Sequence, residues 1–599
     1  MKKQFYTNYA NIQIIISLLR QYGIRHLVIS AGTRHSPLVH SVENERLRHD
    51  DFFTTYSVVD ERSASFVALG LIQKLREPVA VLCTSGTAAC NYVSAVQEAF
   101  FQRLPLVVIT ADRNPMYLYQ QEEQMAVQPG LFAGACKKAV SLPIVRDEKD
   151  FWYCSRLVNE ALLDAVQGER GPVHINYPVE NDYPVPGGFM DFETEELPVV
   201  RKAERLFAED RDERWREWAD GLSCRRILVI YGQHRPLFED EMQALEDFCE
   251  KYDCAVICDI LSNVSCSKSV DGSLAGRVLS AADINDLAPD VIITMGGNSI
   301  AGIKARLNPR EKHIRHINIS ESGAISDPYK CIPDTVACSP FFFFRKIASV
   351  APGMSGSGYF GLWRERTERI LAKSDVFACK IGWSALYSTQ QIMKTIPENS
   401  VVHLANSNSV RLCSLFPLKK GCHAYCNRGT NGIDGSMSSF LGNSIHHDGL
   451  SFLFIGDLSF FYDMNALWNR HVHKRMRILV NNNSGGAIFY TYPSLKNIPT
   501  LADHIAAEHG ASVRAWAEDR GFLYLACRNE DELEQARKTF FDATQEQPML
   551  IECFTDKQSD ADALEHFVSG YMDVSAGISR GIANHLNPHL KAAIKKVIK

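Results

Sequence analysis

Ser451-Phe452-Leu453-Phe454-Ile455 runs directly into Gly456-Asp457-Leu458-Ser459, and Ile478-Leu479-Val480 runs into Asn481-Asn482-Asn483-Ser484-Gly485-Gly486. Each is a short apolar run closed by a glycine-containing turn, the pattern of a strand buried on both faces of a parallel sheet. Two such strands in succession bring their carboxyl ends to one edge, where ligands of open α/β sheets sit. An aspartate and an asparagine at that edge can together hold an oxygen-ligated Mg²⁺ that bridges a diphosphate. Gly456, Gly485 and Gly486 would let the backbone approach such a ligand closely. Taken singly, Gly-Asp and Asn-Gly are common turn pairs that need no metal; it is their placement at consecutive strand ends that points to one.

Outward from this point the same alternation recurs. His26–Ser30, Val79–Cys83 and Leu106–Thr110 are apolar runs, each followed by a turn and a longer amphipathic stretch, and Arg226–Tyr231, Cys254–Asp259 and Val291–Met295 form a second such set. A third set, from about Ile381, includes Val401–Leu404, Ser451–Ile455, Ile478–Val480 and Pro548–Cys553. Asn181–Glu196, rich in Pro, Gly and acidic residues, and Pro340–Gly358, ending in a Gly/Ser cluster, read as linkers. The expected fold is therefore α/β: three doubly wound parallel-sheet domains in tandem, over 1–185, 198–350 and 375–567. Residues 568–599 would be a basic extension, whose Leu590–Lys599 stretch has a short amphipathic helical pattern. That stretch could touch a membrane or another subunit, or be a solvated surface helix.

Composition agrees with this. A chain of 599 residues exceeds what one core supports, and 46% hydrophobic with 22% charged residues is ordinary for a globular protein. The net charge of −6 provides no basic field for nucleic acid. The start, Met1-Lys2-Lys3-Gln4-Phe5-Tyr6, turns polar at Thr7, Asn8 and Asn11, unlike a signal peptide, and no run of about twenty apolar residues suggests a membrane span. The 17 cysteines are an odd number without a C-x-x-C pair, which reads as reduced thiols and a cytoplasmic location. Cys254/Cys258 and Cys422/Cys426 lack partners at zinc spacing and read as small buried hydrophobes.

If the diphosphate belongs to thiamine diphosphate (ThDP), a second requirement follows. The cofactor needs a carboxylate on its aminopyrimidine so that the ring's amino group, as imine, can take a proton from the thiazolium carbon. Thr54–Val59 reads as a strand and Phe66–Lys74 as a helix, with Asp60-Glu61-Arg62 in the loop between them. A lone Asp-Glu-Arg would be an ordinary first-turn glutamate favoured by the helix dipole. Here Val58-Val59-Asp60-Glu61-Arg62, Ala68-Leu69-Gly70-Leu71 and Thr84-Ser85-Gly86-Thr87-Ala88 resemble, in order and spacing, the pyrimidine-binding domain of ThDP enzymes. The two strand-end motifs resemble their diphosphate-binding domain. The resemblance makes Glu61 the catalytic carboxylate, Thr84, Ser85, Gly86, Gly456 and Ser459 cofactor contacts, and Asp457, Asn483 and the Gly485 carbonyl the ligands of Mg²⁺ or Mn²⁺.

Further motifs narrow the family. Gly32-Thr33-Arg34-His35-Ser36-Pro37-Leu38, Thr110-Ala111-Asp112-Arg113, Gln128-Pro129-Gly130, Asn427-Arg428-Gly429 with Gly432-Ile433-Asp434-Gly435, and Ile488-Phe489 look like one branch. By them the chain, from about Asn11 to about Phe567, is identified as a member of the 2-succinyl-5-enolpyruvyl-6-hydroxy-3-cyclohexene-1-carboxylate synthase (MenD) family of menaquinone biosynthesis. The resemblance implies decarboxylation of 2-oxoglutarate and addition of the resulting carbanion to isochorismate. It also implies a homodimer or homotetramer, with each cofactor between the first domain of one chain and the third of another. Arg34, Arg113, Arg411 and Arg428 would then surround the substrate carboxylates, which guanidinium groups bind in pairs of hydrogen bonds. Arg34, Gln124, Arg411 and Arg428 would join Glu61 at the reacting centre. Ser407 and Gln124 would be hydrogen-bonding partners, Ile433 the wedge that bends the cofactor, and Ile488 and Phe489 pocket walls.

This sequence departs from the family at the substrate side. Glu122-Glu123-Gln124 replaces the usual Gly-Ala-Asn-Gln, putting Glu123 at a substrate-facing asparagine position, where it would repel an anion unless an arginine pairs with it. His35 enters beside the pocket, and the family's central-domain lysine has only an approximate counterpart in Lys304. Another 2-oxo acid or acceptor therefore stays open as an alternative. A catalytically silent assembly or regulatory subunit would be expected to have lost Glu61, Asp457 or Asn483, and all three are present. A nucleotide in the middle domain would call for G-x-G-x-x-G, which Gly232–Pro236 and Gly296–Asn298 lack.

Overall fold

The computed structural model describes residues 5–48, 52–179, 192–203, 212–307, 314–324, 326–329, 333–351, 358–372, 381–492, 494–495 and 498–571. Its first sheet consists of β1 (His26–Ile29), β2 (Thr54–Ser57), β3 (Val79–Cys83), β4 (Leu106–Arg113), β5 (Lys138–Ser141) and β6 (Val173–Val179), in the order β2-β1-β3-β4-β6-β5. The second consists of β7 (Ile227–Tyr231), β8 (Ala255–Cys258), β9 (Ser269–Asp271), β10 (Val291–Met295), β11 (Arg315–Ile319) and β12 (Asp334–Val336), in the order β9-β8-β7-β10-β11-β12. The third consists of β13 (Val401–Leu404), β14 (His423–Tyr425), β15 (Ser451–Gly456), β16 (Met476–Asn482), β17 (Leu523–Cys527) and β18 (Met549–Phe554), in the order β14-β13-β15-β16-β18-β17. All pairings within these three sheets are parallel, as the continuous apolar runs require when helices cover both faces. The fold class expected from the sequence is thus the one observed. The middle sheet has the strand order of dinucleotide-binding sheets without their glycine fingerprint.

In the first and third sheets the strand order reverses between β1 and β3 and between β13 and β15. Loops leaving neighbouring strands at such a point run to opposite faces and leave a crevice at the carboxyl edge. The loops after β1 and β3 carry Arg34 and Thr84, and those after β13 and β15 carry Ser407 and Asp457. The same topological feature therefore occurs twice and positions most of the expected site.

What joins the two edges is a helix crossing. Helices α1 (Glu61–Leu75) and α4 (Ser436–Ile445) pack so closely that a Cβ on Gly70 would lie 2.0 Å from the Ser439 carbonyl oxygen, and one on Gly442 would lie 2.2 Å from that of Val67. (Between them in the chain lie α2, Val93–Gln102, and α3, Asn408–Cys413; α5, Asp457–Tyr462, follows.) Ser439 Oγ donates to the Phe66 carbonyl at 3.2 Å and Asn443 Nδ2 to Gln73 Oε1 at 2.9 Å. Around the crossing one apolar core runs continuously through both sheets, from Phe66, Val67 and Leu71 to Met437, Phe440 and Leu453. Within the described chain, then, the domains of the first and third sheets pack directly on one another.

Several boundaries differ from the sequence reading. Glu61 lies in the first turn of α1 rather than in a loop: the Asp60 carboxylate accepts the Ser63 N–H at 2.8 Å and so caps the helix five residues before the apolar period begins. Inside the second expected linker, Pro340–Val350 is a helix capped by Ser339, with Phe343, Phe344 and Ile347 buried in the middle core. Phe192–Thr194, within the first expected linker, pairs antiparallel with Tyr6–Thr7. The helix Lys557–Tyr571 passes the expected end of the third domain, and the basic stretch Leu590–Lys599 lies outside the described residues. Among the described residues, no helix is long and apolar enough to cross a membrane.

Three buried histidines give the fold an acid limit. Burial pushes His35 down to about 4, and His174 and His403 down to about 3, so each is neutral in the folded chain and takes a proton more readily when unfolded. Their contribution is complete above the unfolded value near 6.5 and is lost as pH falls toward the folded values. Each reaches a slope of about 1.4 kcal/mol per pH unit inside that window. The melting temperature is expected to be level near neutrality and to fall progressively below about pH 6.5; a scan that stays flat down to about pH 5 would contradict this assignment.

Candidate functional site

At the third sheet, Asp457 follows β15 and Asn483 follows β16. Asp457 Oδ2 accepts the Gly485 N–H at 2.9 Å and Oδ1 the Leu458 N–H at 2.7 Å, so the two strand-end loops close on one another. Gly485 has φ +142°, and a Cβ there would lie 2.7 Å from the Ala506 carbonyl, so only glycine fits. Burial raises the Asp457 carboxyl above the usual carboxylate range, against those two N–H donors and nearby His509, whose Nε2 is 3.3 Å from Oδ2. A divalent cation would reverse that shift by compensating the charge. Asn483 donates Nδ2 to Asp560 Oδ2 at 2.8 Å, which leaves its Oδ1 as the oxygen able to meet a cation. Asp560 is itself anchored by the Ala385 N–H at 2.7 Å and the Thr555 hydroxyl at 2.8 Å. Among the described residues no three His, Cys, Asp or Glu side chains cluster to hold a metal. A set made of one carboxylate, one amide oxygen and one backbone carbonyl suits a cation that also takes phosphate oxygens.

Beside this pair, Ser459 Oγ donates to the Ile433 carbonyl at 2.6 Å, tying the half-buried expected wedge to the helix that begins at Asp457. Ser407, at φ 69° and ψ −128°, sits in a region sparsely used by non-glycine residues, and its carbonyl accepts from Arg411 Nη1 at 2.6 Å. Arg428 Nη1 reaches Asn406 Oδ1 at 3.4 Å. Arg411 is lowered by burial and by Arg428, and Arg277, on the middle domain's helix Gly272–Val278, is lowered by burial and by Arg411, so three like charges converge here. Both side-chain polar atoms of Asn427, Arg428 Nε and Ser436 Oγ are buried without a hydrogen-bond partner. Such orphaned groups call for a polar ligand, and a diphosphate-bearing cofactor with anionic substrates fits the demand. Phe489 lies against Gly486, within 2.9 Å of where a Cβ would be, with Ile488 beside it in the half-buried turn Ala487–Thr491.

At the first sheet, Thr84 is the hub. Its Oγ1 accepts the Arg34 N–H at 3.1 Å and Gln124 Nε2 at 3.4 Å. Ser85 Oγ donates to the Gln124 carbonyl at 3.1 Å, and the Gly86 N–H to Gln128 Oε1 at 2.7 Å. Arg113 is buried at the end of β4 and pairs through Nη1 with Glu122 Oε2 at 3.3 Å. The structure thus brings Arg34, Thr84, Ser85, Gly86 and Gln124 together. The arginine pairing falls on Glu122, while Glu123 is exposed. His35, expected beside the pocket, is 2% exposed and packs behind Gly32 as a neutral ring. The Lys304 side chain lies outside the described ones.

Glu61, half-buried at the start of α1, has its carboxyl raised above the usual range by burial and by Asp60. The same helix end is held to the third sheet: Arg62 Nη2 donates to the Tyr462 carbonyl at 2.6 Å, Asn465 Nδ2 to Asp60 Oδ2 at 3.1 Å, and Phe66 covers Gly435. Glu61 is therefore close along the chain to groups that touch both the Ile433 turn and α5, although no direct bond joins it to either. Sequence reasoning missed Asp560, Arg277 and His509, and gave no role of their own to Asn406 or to the motif residues Asn427 and Gln128. Asn406 adjoins the quoted Ser407, but Asp560 lies in a polar helix turn that carries no local signal. Asp560→Ala would free the Asn483 amide, and Mg²⁺-dependent ThDP binding is expected to weaken about 10- to 100-fold. Titration by tryptophan quenching measures it, and unchanged affinity would remove Asp560 from the site.

Residues 12–130 match the family model described as thiamine pyrophosphate enzyme, N-terminal TPP binding domain. Over 94% of its length and 99% of the relative, the chain is 36% identical to a 2-succinyl-5-enolpyruvyl-6-hydroxy-3-cyclohexene-1-carboxylate synthase of Phocaeicola vulgatus. A protein of the same name from Bacteroides thetaiotaomicron is 35% identical over 94% of this chain and 99% of its own. Another from Porphyromonas gingivalis is 32% identical over 96% and 99%.

Proposed function

The chain belongs to the 2-succinyl-5-enolpyruvyl-6-hydroxy-3-cyclohexene-1-carboxylate synthase family of ThDP-dependent enzymes, and on that premise we propose that it decarboxylates 2-oxoglutarate and joins the remaining four-carbon unit to isochorismate. The observation that carries this reading is the closure of the Asp457 and Asn483 loops on one another beside a cluster of arginines and orphaned polar groups.

ThDP, when bound, supplies the nucleophilic carbon and the electron sink into which carbon dioxide is lost. Asp457 Oδ, Asn483 Oδ1 and the Gly485 carbonyl would hold the Mg²⁺, which would supply charge compensation for a diphosphate. Glu61 would share a proton with the cofactor's aminopyrimidine, and burial, which raises its carboxyl above the ordinary value, favours its taking one up. Arg411 and Arg428, together with Arg34 from the other edge, bind the substrate carboxylates in paired hydrogen bonds. Ser407 and Gln124 would orient the reacting oxygens, Ile433 would support the cofactor, and Ile488 and Phe489 would keep water out. Assembly into dimers or tetramers and a cytoplasmic location belong to the same reading.

Carbon dioxide release from 2-oxoglutarate with ThDP and Mg²⁺, with and without isochorismate, tests the proposal. Turnover is expected to depend on both substrates and to fall about 10²- to 10⁴-fold in Glu61→Gln. Turnover of a different 2-oxo acid or acceptor alone would replace the substrates while keeping the cofactor. That second reading is favoured by one observation, the engagement of Arg113 by Glu122, which leaves one less free cation for a second anionic substrate. Co-assembly of Glu61→Gln with Asp457→Ala chains reads the arrangement of the site. Recovered activity is expected if cofactor sites lie between chains, as in the resemblance, whereas sites closed within one chain would recover none.

A further inference from the structure

The turn that carries Arg428 and Ile433 is held against the first sheet by one buried acid. Glu98, on α2, is 1% exposed, and a carboxylate so placed needs several donors. Four reach it: the N–H groups of Gly429 and Thr430, each at 2.7 Å, the Thr430 hydroxyl at 2.6 Å and the Gln102 side-chain amide at 2.5 Å. A Cβ on Gly429 would lie 2.9 Å from both the Glu98 carbonyl and Phe101 Cβ, so the turn lies flat on the helix.

The other anchors of this turn are of a different kind. Neutral amides grip its carbonyls: Gln233 at Cys426 (2.7 Å), Asn298 at Arg428 (2.9 Å) and Asn406 at Gly432 (2.6 Å) and at Asn427. Among the described residues, Glu98 is the charged group that takes the turn's N–H groups. Those N–H groups belong to the two residues immediately after Arg428, three and four positions before Ile433.

We propose that Glu98 is a positioning residue of the active site, whose carboxylate fixes the Gly429–Thr430 backbone and thereby the directions of the Arg428 guanidinium and the Ile433 wedge. Glu98 touches neither cofactor nor substrate in this assignment and acts through the turn alone. The proposal rests on the reading of Arg428 as a substrate contact and Ile433 as the cofactor support.

Glu98→Gln is the test, because the amide keeps the volume while presenting an NH₂ group to backbone N–H donors. A displacement of the turn by even ~1 Å is expected to lower kcat by roughly 10- to 100-fold, with a smaller change in KM for the 2-oxo acid, and to alter the near-ultraviolet circular dichroism of bound ThDP. Thr430→Val, which removes only the hydroxyl arm from an exposed side chain, is expected to move both readouts the same way by a lesser amount, and it decides the matter if Glu98→Gln does not fold. Tyr56→Phe is the control, since it breaks the contact of Tyr56 with His446 between the same two sheets away from the turn. Wild-type kcat and wild-type dichroism in both Glu98→Gln and Thr430→Val would overturn the proposal. So would an equal kcat loss in Tyr56→Phe at matched thermal stability. The dichroism needs no substrate, so a wrong substrate assignment leaves this test standing and shows separately as absent turnover.

Discussion

Backbone-to-backbone contact at the crossing of α1 and α4, at Gly70 and Gly442, is the constraint that fixes the first domain against the third. Neither position has room for a methyl group, because the carbonyls of Ser439 and Val67 occupy the space. Glycine in a helix interior costs about 1 kcal/mol relative to alanine. Here that cost is offset by packing that merges two sheets into a single apolar core. The crossing also sets the separation of Glu61, at the start of one helix, from Ile433, just ahead of the other. Rigid helices in backbone contact fix such a separation better than loops do.

On either side of that crossing the candidate site residues lie in two crevices of like origin. Each arises where the strand order of a parallel sheet reverses, and each uses the loop after its first and third strands. The first crevice is organised by neutral hydrogen bonds around Thr84. The third is organised by charge, with Asp457 buried on one side and Arg411 and Arg428 on the other. Orphaned polar atoms on Asn427, Arg428 and Ser436 lie at the third, where a charged ligand would satisfy them. Glu98 links the two, since it belongs to the first sheet by chain and to the third by its hydrogen bonds.

The strands, their parallel pairing and the placing of Asp457 and Asn483 at neighbouring strand ends were legible in the sequence. Continuous apolar runs can be buried only in a sheet covered on both faces, and turn residues at their ends mark the ligand-bearing edge. Glu61 was legible as a residue, though not as part of a helix, because the first turn of α1 is polar and its start is declared by the Asp60 cap rather than by hydrophobic period. The helix Pro340–Val350 was obscured for a related reason: a run of four phenylalanines after proline gives no amphipathic signal until the middle core is known.

Only the tertiary structure decided which acid meets Arg113, since Glu122 and Glu123 are adjacent and differ solely in the direction the backbone gives them. It likewise decided that His35 points into the core, and that Asp560 and Glu98 serve residues far away in the chain. The sequence by itself determined what depends on neighbours along the chain: element type, edge glycines, and the motif residues that stand at strand ends. Contacts made across sheets follow from how helices without a shared sequence pattern approach one another in space, and no local periodicity encodes them.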